Sequence, residues 1–154
     1  MTTIRPAAPA DVETLARWAE AMALETEGKA LDPATVRAGI AAGLADAAKA
    51  RYFVAERDGR AVGTLMLTTE WSDWRDGWWW WIQSVYVAPE ARRLGVFRAM
   101  YAHVEAAARA TPGVCGLRLY VENDNARAQA TYAALGMVDA RYRVFEAATR
   151  ASPA

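Results

Sequence analysis

Apolar residues fall at helical spacing in the first third of the chain and in strand-like runs through its middle. In ADVETLARWAEAMALETE, Val12, Leu15, Trp18, Ala19 and Met22 recur every three or four residues, which predicts a helix starting near Asp11. A short strand at Ile4 and Arg5, ended by Pro6, precedes it. After the loop EGKA, the stretch LDPATVRAGIAAGLADAAKA predicts a second helix, with Asp32 as N-cap and Pro33 at its first position. Two β-like runs then flank Asp58-Gly59, the dipeptide of a tight hairpin. WSDWRDG connects them to the run WWWWIQSVYV, a long strand through Val87 that Pro89 stops. Residues 95–110 predict a helix whose buried face carries Phe97, Met100, Tyr101 and Val104. Beyond Thr111-Pro112-Gly113, GLRLYVE reads as a strand and NARAQATYAALG as a short helix capped by Asn125 and stopped by Gly136. VDARYRVFEA predicts a last strand or pair of strands, and TRASPA frays. The order describes an α+β (mixed α/β) domain with a mixed sheet between helices.

Composition narrows this picture. The 154 residues suit one domain with a real core, 54% hydrophobic and 23% charged. Eighteen basic residues balance eighteen acidic ones, so no nucleic-acid surface is expected. A single cysteine forms no intrachain disulfide, and MTTIRPAAPADVE lacks the basic head and apolar stretch of a leader; both point to a cytoplasmic setting. No apolar run approaches the roughly 20 residues of a membrane span, so no membrane partner is expected. Cys115 reads as a small buried or edge residue and His103 as a surface residue, and no metal site is expected.

The chemistry concentrates where the long strand hands over to a helix, at RRLGVF, residues 92–97. A helix N-terminus offers unpaired amides and the positive end of the backbone dipole, so such a junction holds an anion when the backbone can be approached. Gly95 permits the approach, and Arg92, Arg93 and Arg98 add positive charge suited to a diphosphate. A plain charged turn would use the same residues.

The stretch V85-Y86-V87-A88-P89-E90-A91-R92-R93-L94-G95-V96-F97 resembles the acyl-CoA segment of the GNAT superfamily of N-acetyltransferases. That motif is glutamine or arginine, two residues, glycine, one residue, then glycine or alanine. N125-A126-R127-A128-Q129-A130-T131-Y132, followed by Gly136-Met137, resembles the family's asparagine-to-tyrosine helix, which usually ends in glycine-phenylalanine. Two motifs in order, separated by a strand, are more specific than either, and the element order fits from about Ile4 to Ala147 as one domain.

The resemblance implies a three-layer fold, with a mostly antiparallel mixed sheet, a splayed parallel strand pair and flanking helices. It also implies acetyl-CoA as donor, its pantetheine arm pairing with the fourth strand at Val85, Tyr86 and Val87. The diphosphate would lie on the amides of Arg93, Leu94, Gly95, Val96, Phe97 and Arg98. Asn125 would cap its helix and contact the cofactor, and Tyr132 would donate a proton to the departing thiolate. Direct transfer to a primary amine follows, with no covalent enzyme intermediate.

Two positions depart from the pattern. Phe97 stands where glycine or alanine is usual, and its helical spacing predicts a side chain turned into the core. Gln83 stands where many relatives carry glutamate and cannot accept the amine proton, so Glu70 is the expected base, with Glu25 and Glu27 in reserve. Trp71, Asp73, Trp74 and part of Trp78–Trp81, beside Gln83 and Glu70, form a candidate pocket for a polyamine-like or amino-acid-like amine. Core packing and a homodimer interface are the other uses of seven tryptophans. Two alternatives remain open: a CoA-sensing or partner-binding domain without turnover, and a transferase of another acyl-CoA.

Overall fold

In the computed structural model, which describes residues 1–151, five strands pair in chain order: β1 (Thr3–Pro6), β2 (Arg51–Arg57), β3 (Arg60–Ser72), β4 (Gly77–Val87) and β5 (Val114–Leu119). The first four are antiparallel, and β5 joins β4 in parallel. Antiparallel neighbours close through tight turns, whereas the parallel return from β4 to β5 requires a crossover, supplied by α3 (Val96–Ala110). Asp58 and Gly59 adopt left-handed φ of 50° and 72° and turn β2 into β3, as their pairing in the sequence predicts.

The chain divides into two units, Met1–Leu119 and the stretch from Tyr120 onward. In the first, alternation along β2 sends neighbouring side chains to opposite faces. Val54 packs with Leu15 and Ala16 of α1 (Val12–Glu27) and Ile40 of α2 (Pro33–Ala45). On the other face Gly63, opposite Ala55, lets α3 approach so closely that a Cβ there would lie 3.1 Å from the Val96 side chain. Val96, Met100 and Val104 are fully buried against Leu65 and Leu67 of β3, which makes three layers within this unit. Each such side chain contributes roughly 1.5–3 kcal/mol by leaving water. Arg5 locks β1 to the start of α1 through a forked contact with Asp11 at 2.8 and 2.9 Å. Asp32 caps α2, accepting from the Thr35 amide at 2.9 Å, with Pro33 in the first turn.

The second unit contains α4 (Ala126–Ala134). The Asn125 side chain accepts from the Ala128 amide at 3.0 Å. At the other end Gly136, with φ of 93°, donates to Ala133, and Met137 donates to Tyr132, the double closure of a Schellman cap. Replacing Asn125 by Ala is expected to cost about 1 kcal/mol. Thermal unfolding followed by circular dichroism should show the midpoint falling by about 2–4 °C.

Three expectations need correction. Residues 138–147 pair into no strand among the described residues, and Val138 and Phe145 are almost fully exposed. Alternating apolar positions specify which face a strand would bury but not which edge it joins, and no described strand accepts it. β5 stops at Leu119, short of the expected Glu122. Phe97 is only half-buried, tilted toward Tyr101 at 6.3 Å on the margin of the α3 core face rather than within it. The fraying of TRASPA lies partly outside the described residues.

Candidate active site

The site begins at an irregularity in β4. Thr64 pairs with Tyr86 and Met66 with Gln83, so Leu65 alone faces two residues, Ser84 and Val85. This is a β-bulge, and Ser84 takes a left-handed φ of 51° that a non-glycine residue adopts at a cost of order 1–3 kcal/mol. On its other side β4 pairs with β5 from Trp78 only as far as Ile82, opposite Leu119. From Gln83 to Val87 that edge of β4 has no strand beside it among the described residues. The two parallel strands therefore part at the bulge, leaving the β5-facing side of Ser84 to Val87 without a strand partner, with the Val87 carbonyl accepting from Arg92.

The open edge runs directly into the arginine loop. After a single 3-10 turn at Pro89–Ala91, Arg93 and Gly95 adopt φ of 65° and 78°, and Gly95 forms the N-cap of α3. Left-handed residues interspersed in a loop turn consecutive amides toward one concavity, a nest for anions. The amides of Arg93, Leu94, Gly95, Val96 and Arg98 donate to no described acceptor, and Arg93 and Arg98 are exposed without an ion pair among the described residues. The cradle fits a diphosphate through its own backbone, and a Cβ on Gly95 would meet nothing of the protein within 4 Å, so the space in front of it is open.

Arg92 serves differently. Its Nε donates to the Val87 carbonyl and its Nη2 to Glu25, both at 3.0 Å, while its guanidinium lies over the Tyr86 ring. The Tyr86 hydroxyl donates to the other Glu25 oxygen at 3.2 Å. Burial, and then the charge of Glu25, pushes the Tyr86 phenol above its usual value. Arg92 thus ties the end of β4 to the end of α1. Glu25 and Glu27 stand in the last turn of α1, where the helix dipole disfavours carboxylates and the turn itself carries no basic residue, Arg92 pairing with Glu25 and Lys29 lying 3.9 Å from Glu27. A local preference broken in this way is characteristic of a functional position.

Beside the bulge, between α1, α2 and the sheet, lies a cavity of about 330 Å³. Trp18, Met22, Tyr52 and Tyr86 line it with Glu27, Thr64 and Ser84. The periodicity of α1 put Trp18 and Met22 on its apolar face. They face the core and wall the cavity together, and only the concavity distinguishes the two.

The other expected residues lie elsewhere on β3 and β4. Glu70 shares a sheet face with Met66 but is four residues further on, about 13 Å at strand rise. Its Oε1 accepts from Arg118 at 2.8 Å and from the Trp81 indole at 3.0 Å. Gln83 donates to the Thr68 hydroxyl at 2.6 Å. The structure therefore does not bring Glu70 to the bulge. Trp71 packs edge-on against Trp78, and Asp73 and Trp74 belong to the turn between β3 and β4, with Trp74 85% exposed. Arginine covers the other rings: Arg118 lies 4.0 Å over Trp79, and Arg51 lies 4.2 Å over Trp80. None of these residues lines the cavity.

In the second unit, burial pushes the Tyr132 phenol above its ordinary value, so it keeps its proton throughout the neutral range. His103 is exposed on α3 and Cys115 on β5, and no described cluster of His, Cys, Asp or Glu could hold a metal ion. No helix of the described residues is long and apolar enough to cross a membrane.

A strand edge opened at a bulge and feeding an amide cradle at a helix start is a shape that could take an extended, diphosphate-bearing ligand. The model of the acetyltransferase (GNAT) family matches residues 12–137, and the chain belongs to that family. It is accordingly an acyltransferase. Among solved structures, a possible acetyltransferase from Clostridium difficile 630 is 38% identical, with a TM-score of 0.90 over 98% of this chain and 99% of that one. The integron cassette protein HFX_CASS3 from the mobile metagenome of Cole Harbour Salt Marsh is 22% identical, with a TM-score of 0.82 over 96% and 91%. A predicted acetyltransferase with acetyl-CoA from Clostridium acetobutylicum is 16% identical, with a TM-score of 0.76 over 96% of each chain. At those last two identities the likeness concerns the fold. No curated protein matches the chain.

Proposed function

We propose that the protein transfers an acetyl group from acetyl-CoA directly to the primary amine of a small molecule. The observation that carries this is the unpaired edge of β4 from Gln83 to Val87, leading into the exposed amides around Gly95. Acetyl-CoA supplies an activated thioester. Main-chain groups of Val85 and Val87 hold the donor arm as an added strand. The amides of residues 93 to 98, with Arg93 and Arg98, hold its diphosphate. An amide of the bulged segment faces the thioester oxygen, where a fixed donor acts on developing charge. Glu27, which lines the cavity and makes only a loose 3.9 Å contact with Lys29, takes the ammonium proton directly or through water, in place of Glu70. Tyr132 returns a proton to the departing sulfur, and Asn125 fixes the start of the helix that carries it.

The tryptophans at the β3–β4 turn support self-association, with Trp74 projecting into solvent. Sedimentation of the wild type and of Trp74→Ala checks that part separately.

Calorimetric titration with CoA, followed by thiol release from acetyl-CoA with a panel of primary amines, tests the reaction. Saturable binding and amine-dependent release are expected. Binding without release from any amine would favour a CoA-responsive module, and no binding would overturn both.

A further inference from the structure

The cavity beneath α1 and α2 is selective. Its wall is mainly Leu15, Met22 and Ile40 with the rings of Trp18, Tyr52 and Tyr86. Of the residues lining it, Glu27 is the one carboxylate, and none is a lysine, arginine or histidine. Arg92 and Glu25, which meet at Tyr86, are paired with each other at 3.0 Å, so a free carboxylate would lose its hydration there without gaining an unpaired cation, and a second or third ammonium group without gaining an unpaired anion. One ammonium is served: Glu27 supplies charge, and the Trp18 ring, packed 5.9 Å from Tyr86, supplies an electron-rich surface, the Tyr86 ring itself being engaged by Arg92. The volume, about 330 Å³, is at the lower end of the range for small-molecule sites and is bounded on the sheet side by Thr64 and the bulge residue Ser84.

We infer that the acceptor is a monoamine with an apolar or aromatic body, of arylalkylamine type, rather than a polyamine or a free amino acid. The inference rests on the transferase reading above. The body fills the space between α1 and α2, and the amine points to Ser84. The amine nitrogen gains its bond to the acetyl carbon as the carbon–sulfur bond breaks. The ammonium first gives one proton to Glu27 or water; the second leaves nitrogen for water as the new bond forms, and the sulfur receives one from Tyr132, which water then reprotonates.

Gly39 provides a test that leaves the donor site alone. It lines the cavity from α2, its φ is not left-handed, and a Cβ there would meet nothing within 4 Å. Leucine favours the helix and would occupy the cavity.

The experiment compares β-phenylethylamine, spermidine, phenylalanine and a short peptide as acceptors, for the wild type and Gly39→Leu, with CoA titrated into each by calorimetry. The wild type is expected to favour β-phenylethylamine in kcat/KM by about 10- to 200-fold, the discrimination apolar pockets reach. Gly39→Leu is expected to raise its KM by about 10-fold or more with CoA affinity unchanged. Preference for spermidine, phenylalanine or the peptide, or a Gly39→Leu enzyme with unaltered KM, would overturn this assignment and leave the transferase reading standing. Failure of CoA to bind the wild type would instead remove that reading.

Discussion

Tyr132→Phe is expected to lower kcat by about 10²-fold, the lower end of the range for a general acid, because a thiolate already leaves moderately well. The loss should appear in kcat and kcat/KM alike, with CoA affinity and amine KM nearly unchanged, since the proton is given only as the carbon–sulfur bond breaks. Phenylalanine keeps the ring on α4 and removes only the hydroxyl. The pH profile supplies a second reading. The donor is the neutral phenol, and rising pH removes its proton. Burial raises the pKa of Tyr132, so the wild-type rate should hold on the alkaline side past the ordinary tyrosine value near 10 before falling. In Tyr132→Phe that alkaline limb should vanish, while the acid limb, set by deprotonation of the amine, should stay. A variant with wild-type kcat would remove Tyr132 from the chemistry.

What the sequence made legible was governed by near neighbours along the chain. Asp32-Pro33, Asn125 and Gly136 work within one helical turn, and Asp58-Gly59 within one hairpin, so residue type alone placed each of them. The arginine loop was legible because Gly95 and the start of α3 are adjacent in sequence. Ser84 was not: nothing in the tetrapeptide Gln-Ser-Val-Tyr demands φ of 51°, which arises because β4 places two residues against one on β3. The surroundings of Glu70 were not legible for a similar reason. Its partner Arg118 lies 48 residues away, on the strand that reaches β4 only after the crossover. The tryptophans, dense enough to suggest a cation pocket, meet arginines of the protein itself at Trp79 and Trp80. The cavity took shape from the packing of α1, α2 and the sheet, and its aromatic wall at Trp18 carries the same helical periodicity as any core face.

Gly95→Val should weaken CoA binding by about 10²-fold or more, for two reasons that a control can separate. The first is conformational: φ of 78° suits glycine, and a β-branched residue there costs at least about 1–2 kcal/mol or drives the loop into another conformation. The second is specific to the ligand. The space in front of Gly95 is empty of protein, so new methyl groups would stand in the proposed diphosphate site, and reorienting the amides of Leu94 and Val96 would remove hydrogen bonds to a charged group, worth about 1.5–3 kcal/mol each. Gly59, in the β2–β3 turn with φ of 72° and equally open space, carries the first cost without the second. Gly59→Val should therefore lower the thermal midpoint to a similar degree while its calorimetric CoA affinity stays at the wild-type value. Equal loss of CoA binding in both variants would mean that strain spreads through the sheet, and the cradle around Gly95 would no longer be needed to explain the result.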